Sequence, residues 1–119
     1  MKKLIPVLLF IFVICIYGFT DYNQILNTSL KITVVDYLGN VVVEASVTLY
    51  PTDKDYRNET NAVTETQYTD KKGRVTFKKL EPTIFFVYVV KDDMNNVGGG
   101  VQTDTLEKGK INKVNIVIE

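Results

Sequence analysis

Beyond residue 30 the chain never sustains the three-and-four spacing of an amphipathic helix, while segment after segment alternates apolar with polar side chains. Alternation at period two buries one face of an extended strand and wets the other. The clearest case is residues 41–50, where Val41, Val43, Ala45, Val47 and Leu49 alternate with Val42, Glu44, Ser46, Thr48 and Tyr50. Before it, Leu30, Ile32 and Val34 alternate with Lys31 and Thr33. Further strands are predicted over 63–69, 74–77 with Val75 and Phe77 facing in, 84–90, 98–106 and 113–118. Seven short strands in about 90 residues, separated by turn residues, predict an all-β fold, a seven-stranded antiparallel β-sandwich.

The punctuation agrees with that pattern. Asp36-Tyr37-Leu38-Gly39-Asn40 is a turn in which the Asp carboxylate can accept from backbone N–H two residues on and Gly39 can take positive φ. Asp70-Lys71-Lys72-Gly73 repeats this chemistry and is expected to close a hairpin onto strand 74–77. Residues 91–96 and 107–110 supply two more polar turns. Pro51 ends the second strand, and 51–62 is predicted as a polar surface loop with a short helical turn at 54–58.

Strand 84–90 breaks the rule, because Ile84, Phe86, Tyr88 and Val90 on one face and Phe85, Val87 and Val89 on the other are all apolar or aromatic. A sandwich strand has one face toward water, so something must cover the second: the 51–62 loop, which is the expected cover, or a partner. Phe85, Val87, Val89 and Tyr56 are therefore the candidate interaction surface. Tyr37, Tyr50, Tyr56 and Tyr68 are rings suited to lining a recognition surface, although scattered surface tyrosines would look the same in sequence.

Residues 1–20 are expected to be a secretory signal peptide: Lys2 and Lys3, an apolar run from Leu4 to Tyr17, then Gly18 and Thr20 as small residues near a cleavage site. As a helix, 4–19 would reach roughly 24 Å, short of a hydrocarbon core of about 30 Å, so cleavage is expected over anchoring. Cys15 would be the site of lipidation if the segment were a lipoprotein leader, but Ile14 before it is bulky where a small residue is usual. Residues 21–29 are a polar lead-in and 30–119 the domain. Of 14 basic and 14 acidic residues, cleavage removes Lys2 and Lys3 and leaves 12 against 14. That balance excludes a nucleic-acid partner, and membrane contact is expected only through the N-terminal segment. With no histidine and a single cysteine, Ser-His-Asp and Cys-His catalysis, His-ligated zinc and internal disulfides are excluded.

Residues 34–39 (Val-Val-Asp-Tyr-Leu-Gly), 43–49 (Val-Glu-Ala-Ser-Val-Thr-Leu) and 69–80 (Thr-Asp-Lys-Lys-Gly-Arg-Val-Thr-Phe-Lys-Lys-Leu) together resemble the carboxypeptidase regulatory-like domain. That family is a transthyretin-like, Ig-like sandwich of bacterial secreted and envelope proteins, and the likeness spans about residues 30–119. The chain departs from it at Pro82-Thr83, where the family usually has glycine before the central strand. The resemblance implies an exported non-catalytic module with a protein or carbohydrate partner, or a structural role, at the cell envelope, and no cofactor. The alternative it implies is a small-ligand carrier acting as a transthyretin-like oligomer.

Hydroxyisourate hydrolases of the same fold group look for histidines and a Tyr-Arg-Gly-Ser ending, both missing here. In collagen-adhesin B-type domains a first-strand Lys couples to a last-strand Asn. Lys31 with Asn112 or Asn115 could imitate that, but strand 84–90 lacks the carboxylate the reaction needs. Asp92, Asp93, Asn95 and Asn96 offer oxygens to a hard cation, although Asx residues form turns unaided. Gly98-Gly99-Gly100 lacks the following helix of a phosphate cradle and is expected to be a bulge or a close backbone approach between strands.

Overall fold

The computed structural model describes residues 27–119. The expected signal segment, Cys15 within it, and residues 21–26 of the lead-in lie outside the described residues. Seven strands form two sheets: β1 (Ser29–Asp36), β2 (Ser46–Tyr50), β3 (Gln67–Tyr68), β4 (Arg74–Phe77), β5 (Phe86–Lys91), β6 (Met94–Asn95) and β7 (Ile111–Ile118). Among the described residues one helix, α1 (Asp53–Asn58), interrupts them. The first sheet runs β4-β1-β7 and the second β3-β2-β5-β6.

The alternating residues do build the shared interior. Leu30, Ile32 and Val34 of β1, Val75 and Phe77 of β4, and Ile116 and Ile118 of β7 face Val47 and Leu49 of β2 and Val87 and Val89 of β5. Phe85, Leu80, Leu106, Val42 and Ala45 close the margins. At roughly 25 cal/mol per Å² of apolar surface, this layer is the dominant favourable contribution in a fold of this size.

The sandwich is not wholly antiparallel. β1 pairs with β7 in parallel along its whole length, Ser29 opposite Ile111 through Asp36 opposite Ile118. A chain that reverses at every connection runs its first and seventh strands in the same sense, so making them neighbours makes them parallel. The remaining pairings, β1 with β4, β2 with β3 and β5, and β5 with β6, are antiparallel.

Three expected strands are shorter or different, and 63–69 is a paired strand only over Gln67–Tyr68. The 41–50 strand breaks at Glu44, whose φ of 58° is left-handed, so Ser46–Tyr50 forms β2 while Val41 makes only an isolated bridge to Val35. The break shifts the alternation: Val42 is buried while Val41 and Val43 are exposed. Buried Thr69 holds the kink. Its hydroxyl donates to the Val42 carbonyl at 2.6 Å and accepts from the Ala45 N–H at 2.9 Å. Residues 98–106 form an irregular strap along β5, with Val87 N–H donating to the Val101 carbonyl and Thr103 N–H to that of Phe85. Three successive glycines leave that strap little to pack.

The Asp70 turn joins β3 to β4, which lie in different sheets, so it crosses between layers and closes no hairpin. Its local chemistry is as expected. Asp70 Oδ1 accepts from Lys72 N–H at 2.8 Å and Arg74 N–H at 3.0 Å. Asp36 Oδ1 likewise accepts from Leu38 N–H at 3.0 Å and Asn40 N–H at 2.9 Å. The two turns meet, because Val34 N–H donates to the Gly73 carbonyl at 2.7 Å.

Candidate functional site

The outer face of the second sheet starts from register. Thr48 lies opposite Tyr88 and Tyr50 opposite Phe86, which places two strands of large side chains on the face away from the core. A bare face of that kind would be an apolar patch in water, and α1 covers it. Tyr56 meets Tyr50 edge-to-face with ring centres 6.1 Å apart, and Tyr88 in the same manner at 5.9 Å. Ring quadrupoles favour this geometry over a flat sandwich. The expected cover from 51–62 is therefore present, and its short helix falls over Asp53–Asn58.

A six-residue helix is too short to persist alone, and local bonds hold this one in place. Thr52 caps it by accepting from the Asp55 N–H at 3.1 Å. The Asp55 carboxylate then accepts from the Thr52 hydroxyl at 2.9 Å, the Asn61 amide at 3.0 Å and the Thr60 hydroxyl at 3.3 Å. Those bonds, from Asn61 and Thr52 foremost, lower the Asp55 pKa below its usual value. Glu59 ends the helix in a left-handed conformation at φ 53°.

The result is a shallow surface depression lined by Tyr56, Arg57, Glu59, Tyr88 and Val97. Arg57 Nε is paired with Asp53 Oδ2 at 2.9 Å. Burial raises the pKa of both Tyr50 and Tyr56, so both rings carry neutral hydroxyls well past neutral pH. The depression combines two ring surfaces with one cationic and one anionic side chain. That is the equipment of non-covalent recognition, and no nucleophile stands beside a base in it.

Of the expected interaction surface, Tyr56 is at this site, whereas Phe85, Val87 and Val89 are not. They are 3%, 0% and 0% exposed in the core, because the odd-numbered positions of β5 face inward. The residue that sequence reasoning missed is Tyr88. Its signal was available in the parity of the strand, which puts Tyr88 beside Phe86 on the outer face. Tyr37 and Tyr68 are exposed but stand away from the cluster, on the Asp36 turn and on β3.

The other candidates resolve into structural roles. The Asn112 side-chain amide donates to the carbonyls of Ser29, Glu107 and Lys110, and Lys31 lies opposite Lys113, so no lysine–asparagine coupling site is assembled. Asn96 is buried, accepting from Val89 N–H at 2.9 Å and donating to the Val87 carbonyl at 2.8 Å. Asn95 Oδ1 accepts from Val97 N–H at 2.9 Å. The amide oxygens of the 92–96 turn are thus committed to backbone. Among the described residues no three acidic or sulfur ligands cluster as a metal site.

No protein-family model matches the chain, and no curated protein matches it in sequence. Solved structures do share its fold. The Bacillus anthracis TIE protein is similar over 77% of this chain, with 22% identity and a TM-score of 0.52. A streptococcal ancillary pilin is similar over 79%, with 17% identity and a TM-score of 0.54. The match covers 17% and 32% of those chains, so this chain spans only a part of each. At these identities it extends to the sandwich fold and not to the carboxypeptidase regulatory-like family. What the chain shares with these bacterial proteins is a two-layered β-sandwich.

Proposed function

We propose that the chain is an exported, non-catalytic recognition module of the bacterial cell envelope, binding a protein or glycan partner or serving as a structural piece of a surface assembly. The observation that carries this reading is the Tyr56–Tyr88 depression, with Tyr88 on β5 and Tyr56, Arg57 and Glu59 on the capped helix that packs across the sheet. Support comes from the similarity of the fold to a part of a streptococcal ancillary pilin and from the apolar, lysine-led N-terminus. The alternative, a carrier that stacks sheet on sheet as an oligomer, is disfavoured by charge and cover. Two copies meeting through the first sheet would set Lys31, Arg74 and Lys113 against themselves, and the second sheet is capped by α1.

The test is fractionation of cells producing the full chain with a C-terminal tag. Recovery in the envelope or the medium, shortened by about the length of a signal peptide, agrees with the reading. A full-length product in the cytosol contradicts it. Light scattering of the recovered protein separates the two alternatives, since a strict monomer removes the carrier.

A further inference from the structure

The outer face of the first sheet has a different character from the tyrosine face. Its outward positions on β1 and β4 are Lys31, Thr33, Val35, Arg74 and Thr76, and β7 adds Lys113 and Asn115 in its middle, with exposed Ile111 and Val117 toward its ends. Register sets Lys31 between Thr76 on one side and Lys113 on the other, and Thr33 between Arg74 and Asn115. Two shallow depressions share Lys31 and Arg74. One extends to Lys71 and Lys72 on the Asp70 turn, the other to Lys113 and Asn115.

Five of the 12 basic residues beyond residue 20 thus gather on one face of a chain with 14 acidic ones. No outward position of β1, β4 or β7 is acidic. Asp70, at the rim, is committed through Oδ1 to the backbone N–H groups of Lys72 and Arg74. The two ion pairs between described side chains, Asp53–Arg57 and Glu107–Lys110, lie elsewhere. Lys31 directly opposite Lys113 is a like-charge cross-strand pair, which costs stability. A face kept charged only for solubility would interleave the two signs. An anion lying across the strands would relieve that repulsion.

We propose that this face binds an acidic polysaccharide carrying a carboxylate on each sugar. Neighbouring strands lie about 5 Å apart, so register spreads Arg74, Lys31 and Lys113 across three adjacent strands, which suits a repeating anion rather than a single small one. The polar side chains between them, Thr33, Thr76 and Asn115, offer hydroxyl and amide partners for sugar hydroxyls. Nucleic acid fits less well, because the face has no aromatic side chain to stack a base. The inference goes beyond the recognition role proposed above and stands independently of it. It assigns the ligand to a second surface, opposite the tyrosine depression.

The test is titration of the protein recovered from cells with polygalacturonate, neutral dextran, polyphosphate and a DNA duplex. Polygalacturonate should bind at 50 mM salt, and raising the salt to 200 mM should weaken it by about 10-fold or more, as several charge contacts require. Dextran should not bind. The double variant Lys31→Glu/Lys113→Glu should weaken binding by at least about 10-fold, while Lys54→Glu/Lys108→Glu on other surfaces should change it by less than about 2-fold. Unchanged urea midpoints would show both variants folded. Equal binding of polygalacturonate and dextran, or equal sensitivity to the two variant pairs, would overturn the proposal. So would tighter binding of polyphosphate or duplex than of polygalacturonate. Because binding is measured on purified protein, a cytosolic chain that still binds polygalacturonate would sink the envelope role and leave the site standing.

Discussion

At the scale of single residues, two small side chains decide where the strands can turn. Gly73 has φ +72°, and a Cβ there would stand 2.9 Å from the Val34 carbonyl oxygen and 2.9 Å from Val41 Cβ. Gly39, in the matching turn, has φ +89° with nothing within 4 Å. Gly39→Ala should therefore cost only the left-handed backbone penalty, about 1 kcal/mol. Gly73→Ala should cost clearly more, about 2 kcal/mol or above, because backbone atoms must also move. Urea unfolding of the pair reads the difference, and equal losses would contradict the close approach. Thr69 is the second case. Thr69→Val removes the hydroxyl that serves Ala45 N–H and the Val42 carbonyl, orphaning two buried groups at about 1–3 kcal/mol each, whereas Thr69→Ser should keep most of the stability. None of this was legible in the alternation of 41–50. A period-two pattern is blind to a single left-handed residue, and only the partner at Thr69, distant in sequence, makes the break at Glu44 affordable.

At the scale of elements, the two-faced strand 84–90 and the loop 51–62 belong together, and the sequence carried both halves of that relation. An apolar outer face needs a cover, and Tyr56 sat in the polar segment with the means to supply it. What sequence could not rank was which tyrosines meet, since that depends on the register of β2 against β5, with Thr48 opposite Tyr88. Tyr56→Ala should uncover Tyr88 and cost about 0.5–1.5 kcal/mol per lost ring pair beyond area burial. Thr52→Ala should loosen the helix by about 1 kcal/mol through loss of the cap. If α1 holds Tyr56 over the sheet, the double variant should lose less than the sum of the two, because the cap then has no ring left to position. Full additivity in urea unfolding would show that the helix and the ring contact are independent. Phe85, Val87 and Val89 show the opposite limit of pattern reading: apolarity marked them as important, and parity, not composition, puts them inside.

At the scale of the whole molecule, seven strands and a two-layered interior follow from alternation and turn spacing, but the sense of the closing pair does not. Periodicity tells which face a residue takes and nothing about its neighbour's direction. The strand count held the missing signal, since β1 and β7 run the same way once each connection reverses the chain. The titrating groups give the sandwich a definite pH window. Backbone donors from Arg74 and Lys72 lower the Asp70 pKa below the usual 3.8, and side-chain donors lower that of Asp55. Their contribution to stability is present above 3.8 and is lost as pH falls through the depressed folded values. Burial raises the pKa of Tyr50 and Tyr56 above 10.0, so their contribution is complete below 10.0 and is lost as pH rises through the raised values. The urea midpoint should be flat across neutral pH and fall at both ends, and a midpoint that rose above pH 10 would contradict the packing of Tyr50 and Tyr56 against the sheet.

The measurement that bears most directly on this architecture is an NMR map of interstrand proton contacts between the first and last strands. Side-by-side parallel pairing predicts contacts linking Lys31 to Lys113, Thr33 to Asn115 and Val35 to Val117, advancing together along both strands. Contacts that advance along one strand while retreating along the other, or none between these segments, would contradict the closure on which the core and both outer faces depend.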